Sequence, residues 1–203
     1  MRFITGVCIL LLLLTGCTEK VGNPVPESEQ QPAAVTVTPV DLFKGEAAKF
    51  QPFLGAMSGA FRLHYEGNKP NASLDIGIWQ NGRRTASLGS VGDLFLHSAD
   101  DPNREVEVII SMEPVSVEGK QDSIRIKVSS GSSLVTFTAP WDEQLTARGV
   151  ISFAEPRSFP VEGSVHVWGM QGTSNNEIHT ADFSPESLSR LERAIIFTLR
   201  FEQ

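Results

Sequence analysis

Apolar side chains return at every second position in one stretch of the chain after another. Phe61, Leu63 and Tyr65 alternate with Arg62, His64 and Glu66. Leu74, Ile76 and Ile78 repeat the pattern, as do Val106, Val108, Ile110 and Met112, and then Ile124, Ile126 and Val128. Successive side chains point to opposite faces only in an extended strand, so this period gathers the apolar residues on one side of a sheet. A sheet with one apolar face needs a second layer to bury it. Further strands are expected at 135–139, 150–153 and 161–168, with a weaker one at 94–97. About eight to ten short strands without alternating helices predict an all-β, antiparallel sandwich, plain or jelly-roll-like.

Local signals refine that frame. Asn81-Gly82 marks a hairpin tip after Ile78. A two-residue turn would pair Ile76 with Ser87 and Ile78 with Thr85. A three-residue turn would pair Leu74 with Leu88 and Ile76 with Ala86, and the apolar matches favour it. Beyond Met112 the alternation changes parity at Pro114, which cannot donate to a ladder and so marks a bulge or an edge. Arg125 and Lys127, on the polar side of their strand, are placed to meet the glutamates at 105, 107 and 113.

One short helix is expected near the C-terminus. Ser184 is its N-cap, Pro185 its first residue and Glu186 lies in its first turn. Phe183 and Leu188 have the spacing of a hydrophobic staple, and Glu186 and Arg190 that of an i,i+4 ion pair. Ile195, Phe197, Leu199 and Phe201 then read as a strand, because β-branched and aromatic residues dominate there. Residues 41–50 read as a second short helix.

The N-terminus is organised differently. Arg2 precedes an almost wholly apolar run from Phe3 to Leu14. Twelve helical residues reach only about 18 Å, well short of the ~30 Å hydrocarbon core, which suits a cleaved export signal better than a membrane span. The sequence Leu14-Thr15-Gly16-Cys17 resembles the lipobox of bacterial lipoproteins. That resemblance implies lipid attached to Cys17, removal of residues 1–16, and an extracytoplasmic protein held to a bacterial membrane by its N-terminal lipid. Cys8 would leave with the signal, so the remaining chain would have no internal disulfide. Pro24, Pro26, Pro32 and Pro39, interspersed with Glu, Ser and Gln, read as a tether over 17–40, leaving 41–203 as a single domain. The body resembles uncharacterised exported proteins of spore-forming bacilli at Gly67-Asn68-Lys69-Pro70 and Trp79-Gln80-Asn81-Gly82. That likeness implies no activity.

Composition and motifs narrow the function. Without Arg2 the chain would carry 16 basic and 24 acidic residues, a balance of −8, a poor basis for binding nucleic acid. No nucleophile elbow, zinc-protease helix or phosphate loop occurs, so no catalytic residue or cofactor is assigned. His64, His97, His166 and His179 lack close ligand spacing, and no metal site is expected. Asp100-Asp101-Pro102-Asn103 reads as a solvated turn and not a calcium loop.

The leading expectation is a non-catalytic binding or envelope-associated module for a carbohydrate, peptide or protein. The alternative is a secreted hydrolase acting on envelope or extracellular polymer. Strict alternation through 161–168 sets Val161, Val165 and Val167 on one face, with Glu162, Ser164, His166 and Trp168 on the other. Trp168 and His166, joined by Trp141 in the polar loop Pro140-Trp141-Asp142-Glu143, are therefore the candidate ligand-binding residues. The plainer reading is that both tryptophans pack beneath a loop or the late helix. Two facing carboxylates would point to the hydrolase, and a flat aromatic face to binding.

Overall fold

The computed structural model describes residues 33–96, 104–117 and 120–202. Cys17, the signal and the first part of the expected tether lie outside these residues, as do His97 and Asp100-Asp101-Pro102-Asn103. Among the described residues, eleven strands form two antiparallel sheets. The first contains β1 (Ala34–Val40), β2 (Met57–Glu66), β5 (Glu105–Val117), β6 (Lys120–Ser130), β7 (Ser133–Pro140) and β9 (Arg157–Pro160), in the order β7-β6-β5-β2-β1-β9. The second contains β3 (Asn71–Gln80), β4 (Arg83–Val91), β8 (Ala147–Ser152), β10 (Ser164–Thr173) and β11 (Arg193–Glu202), in the order β4-β3-β11-β10-β8. The all-β sandwich expected from the alternation is the fold observed. Through β7 successive strands stay within one sheet for two or three at a time, as hairpins and the β5-β6-β7 meander, whereas β7, β8, β9 and β10 alternate between the sheets.

The core is the set of side chains that the alternation selected. Leu63, Val108, Ile110, Ile124, Ile126 and Val128 from the first sheet meet Leu74, Ile76, Ile195, Phe197 and Leu199 from the second. Each such burial is worth about 1.5–3 kcal/mol, and no disulfide is needed to hold the layers together. On the outer side of the first sheet, Glu113 lies opposite Arg125 and also pairs with Lys127, as expected, while Arg62 bridges Glu105 and Glu107.

The strands depart from the sequence reading in three places. The domain begins before residue 41, because Ala34–Val40 is a strand between β2 and β9, with Val35 and Val37 fully buried. Pro39 is accommodated because β9 pairs only as far as Val37, so no neighbour on that side needs its missing N–H. The 81–82 tip is a two-residue turn with both residues at positive φ, not the three-residue form. Bulges at Thr85 and Leu88 then put Ala86 opposite Ile78 and Gly89 opposite Ile76, so neither simple register survives. At Pro114 the expected edge is found: it remains in register with Ile124, β2 pairing stops at Met112, and a register shift follows between Val115 and Val117. Leu94-Phe95-Leu96 is a turn, tied by Leu96 N donating to Asp93 O, whose Leu94 and Phe95 plug the core.

The C-terminal helix is borne out, whereas the one expected over 41–50 is a 3-10 turn from Gly45 that becomes α-helical only beyond Phe50. A 3-10 turn (Gly45–Phe50) followed by α1 (Gln51–Leu54) joins β1 to β2. α2 (Pro185–Ser189) starts at Ser184, whose Oγ accepts from Ser187 N at 3.2 Å, and Glu186 pairs with Arg190. Arg193–Glu202 is a strand, as its side chains predict.

Candidate functional site

The three residues singled out by sequence do not form one surface. Trp168 is 2 % exposed. The register between β10 and β11 jumps from His166–Thr198 to Trp168–Phe197, leaving Val167 as an extra residue. This bulge reverses the parity of everything after it, so Trp168 turns inward where strict alternation would turn it out. Its ring lies edge to face against Phe197, with centroids 5.4 Å apart. It also crosses the sandwich to rest on Gly59, where any Cβ would collide with it. Trp168 is an inter-sheet core residue.

Trp141 is 3 % exposed and is also structural. Its ring rests on Gly172, and the guanidinium groups of Arg148 and Arg193 lie 5.9 and 5.7 Å from the ring centre. Arg148 and Arg193 sit opposite Gly172 on its two neighbouring strands, so one cross-strand row forms the whole cradle. Arg193 further fixes the loop by donating from Nη2 to Pro140 O at 2.9 Å.

His166 alone keeps its expected outward position. It shares a 2.9 Å hydrogen bond with Thr198 Oγ1, and its ring stands edge-on to Trp79, with centroids 5.0 Å apart. Burial, reinforced by the positive charge of Arg84, pushes its pKa below the ordinary histidine value. On one side, Asp75 lies between Arg200 (3.0 Å) and Arg84 (3.7 Å), with the Arg84 side chain over Gly77. On the other, residues 174–192 fold back over the sheet. Leu188, Leu191, Ala181 and Phe183 pack there on Ile151, Ala194 and Ile196 as a second, smaller core.

That returning connection builds a groove of about 830 Å3 with the end of β10. Gln171, Asn175, Asn176, His179, Arg190 and Glu192 supply most of its polar lining. Gln171 is 7 % exposed and donates from Nε2 to His179 O at 2.8 Å, tying the connection to β10. Thr146 Oγ1 donates to Asn176 Oδ1 at 2.7 Å, which fixes the far lip. Glu192 accepts from Ser174 N, Ser174 Oγ and Thr173 Oγ1 at 2.8–3.1 Å. These bonds, the backbone one foremost, hold its carboxyl below the usual range, so it remains ionised and braces the groove.

This chemistry suits holding a polar ligand. Amides, a histidine and a guanidinium offer donors and acceptors without a nucleophile–base pair. Among the described residues the carboxylates with a clear shift, Glu113, Asp182 and Glu192, are all shifted downward, by hydrogen bonds from Lys127, Ser184 and Ser174 respectively. A glycosidase acid requires the opposite shift. Among the described residues no cluster of His, Cys, Asp or Glu could hold a metal ion, and no helix is long and apolar enough to cross a membrane.

No family model, no curated protein and no solved structure matches the chain. The groove residues were not singled out from sequence because they come from a strand end and an irregular connection. Their one local signal is the polar run Thr173-Ser174-Asn175-Asn176-Glu177 after an apolar strand.

Proposed function

We propose that this chain is a lipid-anchored, extracytoplasmic binding module without catalytic activity, which takes a hydroxyl-rich ligand, a glycan in the first place, in the 174–192 groove. The observation that carries the reading is an open, polar groove of about 830 Å3 whose lips are pinned by Gln171–His179 and Thr146–Asn176 hydrogen bonds. Such pinning lowers the ordering cost of binding. The lipobox supports the address, because diacylglycerol on Cys17 would hold the domain where envelope polymer is within reach.

Two measurements test the two halves of the proposal. Cells fed labelled fatty acid should label the protein, and Cys17→Ser should abolish the label; a persistent label removes the anchor. Soluble cell-wall glycan fragments titrated into the unlipidated chain should bind saturably and leave uncleaved. His179→Ala and Arg190→Ala should each weaken binding about tenfold, or about 1.4 kcal/mol. Cleavage of the fragments would make the protein a hydrolase, and unchanged affinity in both variants would move the site elsewhere.

A further inference from the structure

The connection between β1 and β2 carries the most conspicuous exposed aromatics of the described chain. Neither the 3-10 turn nor α1 contains a buried residue. Phe50 is 51 % exposed and Phe53 83 %. The other large apolar residues left exposed among those described are Leu96, Leu134, Val150 and Ile178, none of them aromatic. Phe50 and Phe53 stand three residues apart, the spacing that brings helical side chains onto neighbouring positions. Pro52 lies between them and removes a backbone donor at the tip.

This prong is fixed at both ends of its base. Leu54 O accepts hydrogen bonds from Ser58 Oγ on β2 and from Ser111 Oγ on β5, the latter at 3.0 Å. Asp41 Oδ1 accepts from Phe43 N at 3.1 Å, where the chain leaves β1. Lys44, Glu46 and Lys49 are exposed on the same connection, with Lys49 Nζ 5.3 Å from the centre of Phe50. An apolar aromatic tip with the Lys49 ammonium at its edge matches the boundary of a bilayer, where rings enter the acyl region while an ammonium group stays among phosphates.

Chain length supplies the reason to choose a bilayer as the occupant. Residues 18–33 separate Cys17 from β1, and sixteen residues reach at most about 55 Å. β1 is seven residues long, about 23 Å, and the prong lies beyond its far end. The membrane that would hold Cys17 is therefore within reach of the prong, with slack to spare. A second copy is disfavoured by area. Even fully buried, two phenylalanines from each of two chains cover about 600–1,000 Å2, below the usual size of a stable interface.

We infer that the Phe50–Phe53 prong inserts into the outer surface of the membrane carrying Cys17, giving the domain a second membrane contact and a set orientation. The inference rests on the lipid-anchor reading of the proposed function.

Its test need not rely on cellular lipidation. Residues 17–203 retain the whole described fold and a single thiol, Cys17, which can be coupled to a maleimide lipid in phosphatidylcholine–phosphatidylglycerol vesicles. Phe53→Trp then reports on the tip, with the unsubstituted coupled chain as fluorescence background. The extra emission is expected to shift to the blue and to be quenched when the acyl chains are brominated. Phe50→Asp combined with Phe53→Trp should lose both effects while circular dichroism remains β-type. An unshifted, unquenched Phe53→Trp in a folded, coupled chain overturns the inference, as does a shift that follows protein concentration instead of bromination. If fatty-acid labelling of Cys17 fails but the coupled prong is quenched, the address is wrong and the prong stands.

Discussion

The outer face of the six-stranded sheet presents Arg62, Glu105, Glu107, Glu113, Arg125 and Lys127, each with a side chain 38–46 % exposed. The outer face of the five-stranded sheet carries Ala194, Ile196, Ile151 and His166, and residues 174–192 fold over it to make a second core and a groove. Most outward positions of the first face are polar, its apolar exceptions Ile109 and Leu134 stand on separate strands, and it remains in water. The second has apolar residues on both sides of β11, as the run Ala194-Ile195-Ile196-Phe197 records, and must be covered. Covering a sheet with a connection that has little secondary structure of its own leaves irregular, polar lips. The candidate site follows from that burial requirement.

The largest difference should come from the shared core. Trp168→Ala removes the ring that joins Phe197 to Gly59 across the layers and should lower unfolding free energy by about 3–5 kcal/mol in urea titration. A loss below about 1 kcal/mol would mean that the sheets are not locked through this residue. Next, Leu188→Ala should cost about 2 kcal/mol and should preferentially speed amide exchange in residues 174–192. If exchange rose equally on β2 and β5, the cover would not be a separable layer.

A smaller contrast is set by pH. His166 has a lowered pKa in the folded chain, so between that value and the unfolded value near 6.5 the unfolded state binds more protons. Its contribution is fully present above about pH 6.5 and is lost as the pH falls toward the folded pKa. His166→Gln should flatten that part of the stability profile, read by urea titration between about pH 7 and 5.5, and an unchanged slope would place the dependence elsewhere. The smallest effect belongs to the open face. Arg125→Ala should cost less than about 1 kcal/mol, and the difference should shrink in salt, because its exposed pair with Glu113 is screened. A larger, salt-independent loss would show that this face is also buried in the working protein.

What could be read from sequence divides along the same line. On the open side, strict alternation gives the faces of β2, β5 and β6 correctly, including the Glu113–Arg125 pairing. The Ser184 cap was legible because all of its partners lie within a few residues. Trp168 was misplaced because a single extra residue at Val167 reverses every later position, and nothing local marks the bulge. Its seat at Gly59, like that of Trp141 at Gly172, depends on where two distant strands meet. Val35 and Val37 showed the period of a strand, but Pro32 and Pro39 gave the segment the composition of a tether. Gln171, Asn175, Asn176 and His179 form a lining only after the connection closes over Ile196, an event with no short-range signature.

Whether the covered face binds the ligand is decided by amide exchange with and without a soluble cell-wall glycan fragment at saturating concentration. The expected result is slowed exchange confined to residues 171–181 and 187–192, with β2, β5 and β6 unchanged. Protection on the open face instead, or no protection anywhere, would contradict it.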